Sequence, residues 1–168
     1  MNRILLIFIL CFFSSCDDGD LIIETIDFND TSITFCESTT TVNSTLFFKL
    51  NTAEALILEL QSGLLKNEVS ADTIKSVIPG QSLLTYRTFS DNVSKNYFCD
   101  AVPPITPTVV EEFEGQGGEV FITTVQSESD TTIYEHKIEL SGISLVNSEG
   151  LRITDLIIND FGTITTKE

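Results

Sequence analysis

The rhythm of hydrophobic and polar positions changes near residue 20. Before it, Ile4 to Phe13 is an unbroken apolar run of ten behind Met1-Asn2-Arg3. After it, apolar residues tend to alternate with polar ones, the period-2 pattern of strands with one buried face. Leu21 to Phe28 and Thr31 to Cys36 open the series, and Leu46 to Leu50, Ala55 to Leu60, Ser82 to Phe89 and Val93 to Cys99 continue it. The last third adds Val109 to Phe113, Glu119 to Gln126, Thr131 to Leu140, Leu151 to Ile158 and a piece near Thr163 to Thr166. Thr, Val, Ile and Phe dominate these stretches, as strand propensity favours. Helix competes at Asn51 to Lys66, where Thr52 offers a cap before Ala53-Glu54-Ala55-Leu56, and Val69 to Pro79 has room for a single turn.

Turn chemistry separates the strands. Asn29-Asp30, Asn51-Thr52, Ser90-Asp91-Asn92, Glu114-Gly115-Gln116-Gly117-Gly118, Ser127 to Asp130 and Asn147 to Gly150 supply Gly, Asn, Asp and Ser where the chain must reverse. Turns at intervals of roughly 8 to 14 residues predict an all-β fold, here a two-sheet antiparallel β-sandwich with room for one short helix. Pro103-Pro104-Ile105-Thr106-Pro107 excludes regular pairing and reads as the crossover from one sheet to the other. The sequence thus divides into a leader (residues 1–15), a short tether (16–20) and one β domain (21–168).

The leader is too short to span a bilayer. Ten helical residues reach about 15 Å, half of a hydrocarbon core of about 30 Å. A basic start followed by a brief apolar run is the form of a secretory signal peptide. Phe13-Ser14-Ser15-Cys16 resembles a bacterial lipobox, which implies that Cys16 receives diacylglycerol and becomes the mature N-terminus. Phe13 departs from that pattern, where Leu is usual. Acyl chains contribute about 0.8 kcal/mol per buried CH2, so two or three anchor a protein without a spanning helix. Asp17-Asp18-Gly19-Asp20 follows at once. As a calcium loop it fails, because Leu21-Ile22-Ile23 occupy positions that need oxygen ligands. Asp17, Asp18 and Asp20 instead resemble the acidic export signal of surface lipoproteins of the Bacteroidota.

Charge narrows the partners. There are 25 acidic against 9 basic side chains, a net −16, and loss of Arg3 with the leader makes it −17. A phosphate backbone is recognised by clustered Lys and Arg, so nucleic acid is not an expected partner. Cys36 and Cys99 remain after the leader and lipid cysteines are set aside. In an oxidising compartment they read as a structural disulfide, since neither has a second ligand nearby for a metal and they form no Cys-x-x-Cys. Closing their 63-residue loop restricts the unfolded chain by about 4 kcal/mol on the entropic model.

Candidate chemistry is sparse. His136, the sole histidine, stands between Glu135 and Lys137 and reads as a surface residue of a strand. No Gly-x-Ser-x-Gly, Walker loop or His-Glu-x-x-His occurs. Glu111 and Glu112 are neighbours, and neighbours in a strand point to opposite faces, so they serve one site only if a bulge intervenes. Sugar-active sites usually present aromatic platforms, yet Trp is absent; Tyr86 and Tyr97 sit in strand patterns that suit core packing. Asp27 with Asp30, and Asp155 with Asp160, are the candidate calcium pairs. Asp72-Thr73-Ile74 and Asp130-Thr131-Thr132 match the sequon of Bacteroidota periplasmic O-glycosylation, which makes Thr73 and Thr131 candidate acceptors. No metal and no cofactor is expected.

Further stretches resemble a group of flavobacterial lipoproteins of the Bacteroidota. They are Cys16 to Asp20, Asn96-Tyr97-Phe98-Cys99 leading into Val102-Pro103-Pro104, Val109-Val110-Glu111-Glu112 and Ile158-Asn159-Asp160-Phe161-Gly162. The likeness is spread over most of the mature chain in short motifs. It implies a lipid-anchored protein of the outer membrane, at the cell surface or on the periplasmic face, and it brings no catalytic residue. The expectation is a non-enzymatic module that binds another envelope protein or an extracellular ligand. A polysaccharide-active hydrolase or lyase, and a small-molecule carrier with a barrel cavity, are the alternatives.

Overall fold

Short connections between apolar-alternating segments build the sheet. The computed structural model describes residues 26–153 and 159–168. β1 (Leu46–Asn51) and β2 (Glu54–Glu59) form a hairpin through Thr52-Ala53, with Thr52 in the left-handed region at φ 53°. That tight reversal excludes the helix that Thr52 to Leu56 would otherwise favour. β3 (Ile74–Val77) stands where only a turn was expected. β4 (Leu83–Phe89) pairs with β2, and β5 (Val109–Gln126) pairs with β4 through its first half and with β3 through its second. β6 (Ile133–Asn147) runs back along β5, then pairs on its other edge with β7 (Arg152–Ile153) and β8 (Asp160–Lys167).

The expected break at 114–118 is a bend within β5. Glycines are ambiguous in sequence, and here tertiary contact decides. A Cβ on Gly115 would lie 2.6 Å from Ile78 Cγ2, and one on Gly118, at φ 122°, would lie 2.6 Å from Ile143 Cδ1. The ladder with β6 shifts register at Gly115/Gly117 and again at Gly117/Glu119. The strand therefore turns a corner without ending.

That continuity corrects the expected pair of separate sheets. The eight strands among the described residues belong to one antiparallel sheet, ordered β1-β2-β4-β5-β6-β7 with β3 and β8 beside the other halves of β5 and β6, and it curls into a half-barrel. Residues 103–107 accordingly do not cross between sheets. They lead into the start of β5.

One core fills the curl. Phe47, Leu56, Leu84, Tyr86 and Phe113 from one arm meet Val120, Ile122, Ile138 and Leu140 from the other. Each fully buried side chain of this size stabilises by roughly 1.5–3 kcal/mol. The convex side carries a smaller cluster of Ala55, Phe89 and Val93 beneath α1 (Lys95–Cys99). Val93 to Cys99 reads as a strand in sequence, but its aromatics pack best as a helical turn. Phe98 stacks on Phe48 at 4.7 Å and Tyr97 meets Phe89 edge-on at 5.0 Å.

The half-barrel has a seam. β1 and β8 are not paired with each other among the described residues, and the segment 26–44 lies across the gap. Thr34 makes two backbone bonds to Phe48 of β1, at 2.7 and 2.9 Å, while the Thr40 hydroxyl donates to the Thr165 carbonyl of β8. Thr31 to Cys36 is thus reduced from an expected strand to an isolated bridge, because the segment must leave β1 to reach β8. Leu21 to Thr25 and residues 154–158, both parts of expected strands, lie outside the described residues.

Candidate functional site

The seam holds the more unusual of two concavities. Ser32, Ile33 and Phe35 from the crossing segment, Lys49 from β1, and Asp160 and Thr163 from β8 contribute to a cavity of about 450 Å³. Alternation places Lys49 on the same side of β1 as Phe47, a core residue. Its exposure is 5%, so an ammonium stands where the pattern calls for an aliphatic group. None of the three ion pairs among the described residues uses it, and its Nζ lies 5.9 Å from the Phe161 ring centre. Burial pushes the Lys49 ammonium below its usual range, and the Asp160 carboxylate partly restores it. The three N–H donors of a buried, unbridged lysine are available to an anion.

The second concavity, about 380 Å³, is acidic: Glu111, Glu112, Glu114 and Glu149 border it. Glu111 pairs with Thr88 and Val109 with Phe89, so Val110 is an extra residue in the ladder. The bulge lies ahead of the pair: Glu111 and Glu112 stand in consecutive register against Thr88 and Arg87, so they still point to opposite faces of the strand. Glu112 is engaged by Arg87, its register partner. Both side chains are about one-third exposed, so the pair contributes little to stability.

His136 is not a surface residue. It is fully buried, on the face of β6 that carries Tyr134, Ile138 and Leu140. Its Nδ1 and Nε2 each lie 2.8 Å from a hydroxyl, of Thr124 and Thr166 respectively. Thr166 in turn donates to Asn67 Oδ1 at 2.5 Å. Desolvation lowers the imidazole pKa. The ring is sealed from substrate and serves packing.

The other candidates separate cleanly. Cys16, Asp17, Asp18 and Asp20 lie outside the described residues. Cys36 and Cys99 are joined as a disulfide with Cα atoms 5.2 Å apart. Thr73 and Thr131 are both exposed; beside Thr131, the Asp130 carboxylate accepts bonds from the Thr132 amide and hydroxyl at 2.9 and 2.7 Å. Tyr86 is buried and donates to Glu54 Oε1 at 3.0 Å, while Tyr97 packs on Phe89. Asp27 accepts from the Asn29 amide at 3.0 Å, and Asp155, the proposed partner of Asp160, lies outside the described residues. Among the described residues no three His, Cys, Asp or Glu side chains group as a metal site would require.

Comparison with protein-family models, with curated proteins and with solved structures finds no match. The site must therefore be argued from its own residues. Lys49 escaped the sequence reading, although the signal was there: it shares the parity of Phe47 in a strand recognised as such. The same parity, Tyr134 with Ile138 and Leu140, marked His136 as inward.

Proposed function

We propose that the chain is an exported, lipid-anchored module of the bacterial envelope that binds a ligand without transforming it. The leader, Cys16 at the lipobox position and the acidic run Asp17 to Asp20 support the export and anchoring. The Cys36–Cys99 bond suits an oxidising compartment. The observation that carries the binding half is Lys49, a buried charge in the wall of the seam cavity that makes no ion pair among the described residues. Buried charge that is only partly compensated disfavours folding, and proteins retain such features chiefly where a site needs them. Side chains pack the inside of the curl, which supports the seam as the place for a ligand. The two arms of β5 and β6 work as the faces of a sandwich folded from one sheet.

Globomycin treatment with labelled palmitate, then proteolysis of intact cells, tests the anchored reading. Palmitate on the wild type, its loss in Cys16→Ser and shaving by external protease are the expected results. An unlabelled wild type sinks the anchor, and protection from protease places the module on the periplasmic face.

The acidic concavity favours one second reading, a polysaccharide-active enzyme whose bordering carboxylates include Glu111 and Glu112. It requires release of reducing ends from an envelope or extracellular polysaccharide. Release that survives Glu111→Gln with Glu112→Gln removes it.

A further inference from the structure

We propose that the seam cavity binds a small hydroxylated carboxylate, a sugar acid, with the ligand carboxylate held on Lys49 Nζ. This rests on the binding-module reading above and names the chemistry of its ligand. A cavity of about 450 Å³ falls inside the range of small-molecule sites, roughly 300–1,000 Å³. Its polar lining is mainly neutral hydroxyl and amide: Asn29, Thr31, Ser32 and Thr163 can each exchange hydrogen bonds with ligand hydroxyls. Asp160 adds a charged acceptor for the same groups, and Phe35 and Ile33 offer apolar surface to the C–H face of a ring. Among the described residues one cation, Lys49, lines the cavity, and it makes none of their ion pairs. A carboxylate would complete its hydrogen bonding with charge assistance. A phosphate or sulfate ester suits the site less, because its additional acceptor oxygens would face Asp160 with no second cation.

A competing account comes from position. β1 lies at the edge of the sheet, and an inward lysine on an edge strand also blocks pairing between copies. The crossing segment already covers this edge through Thr34, which leaves less for such a device to do.

Saturation-transfer NMR and calorimetry on the mature chain in detergent separate the two accounts, with glucuronate, glucose and acetate as probes. Glucuronate is expected to bind, with glucose and acetate at least tenfold weaker. Lys49→Met is expected to weaken glucuronate by about tenfold or more, the scale of a hydrogen bond to a charged group. It should also leave the melting temperature unchanged or higher, since it removes a buried charge. Lys49→Gln is the second variant if the methionine form does not fold. No glucuronate binding, or equal binding of glucose that ignores both variants, overturns the proposal. So does dimerisation of Lys49→Met with glucuronate affinity intact. Those failures leave palmitate labelling untouched, whereas loss of labelling with binding retained overturns only the anchored reading.

Discussion

The hydroxyl of Thr166 donates to Asn67, so it must accept from His136, which fixes the imidazole proton on Nε2. Nδ1 is then the acceptor for the Thr124 hydroxyl. Both ring nitrogens are satisfied with the ring neutral. A second proton would place a full charge inside a fully buried site, and that desolvation disfavours it. The folded-state pKa is therefore below the ordinary 6.5, whereas the unfolded chain titrates near that value. As pH falls below about 6.5 the unfolded state takes up a proton that the folded state refuses, so stability declines. The loss approaches about 1.4 kcal/mol per pH unit and ends once pH passes below the folded pKa. Urea unfolding from pH 8 to pH 5 should show this slope in the wild type and a smaller one in His136→Gln. Parallel curves for the two proteins would refute it.

Among the elements, β5 and β6 decide the architecture, because their length lets one ladder serve both arms. The corner glycines are the sensitive points. Gly118→Ala places a methyl into Ile143 at a backbone angle that L-residues avoid, and should cost about 2–4 kcal/mol. Gly142 has φ 63° and open space around it, so Gly142→Ala should cost only about 1 kcal/mol. Equal losses in chemical denaturation would mean that the bend is not held by these contacts. The same corner explains what was legible beforehand. Alternation alone located the apolar faces of β1, β2, β4 and β6, since Phe47, Leu56, Leu84 and Ile138 declare their side every second residue. It also held the clue to Lys49 and His136, which share the parity of those core residues. Whether Gly115 to Gly118 ends a strand or bends it depends on Ile78, Leu84 and Ile143, which are distant in sequence. Likewise Tyr97 and Phe98 suit a strand by propensity, and only Phe48 and Phe89 make them helical. The seam cavity was beyond reach because it exists only once β1 and β8 face each other across an open ladder.

For the whole molecule, the disulfide ties the segment that crosses the seam to the helix on the convex side. Replacing Cys36 and Cys99 together by Ser should lower stability by about 4 kcal/mol, the loop-closure value for a separation of 63 residues. If the seam site depends on Phe35 being held in place, the same variant should also weaken glucuronate. A double variant with unchanged denaturation midpoint would show that packing alone holds the segment.

That cross-link also sets how the domain bears load. Tension from the N-terminal side arrives at Ile26 and Phe28, and would peel the crossing segment from β1 one contact at a time. At Cys36 the peeling meets a covalent stop, and the pull passes into α1 and its aromatic seating on the convex face. The edge of the sheet is bypassed. A domain built this way, pulled from its N-terminal side, has its mechanical weak point confined to the stretch ahead of the bond.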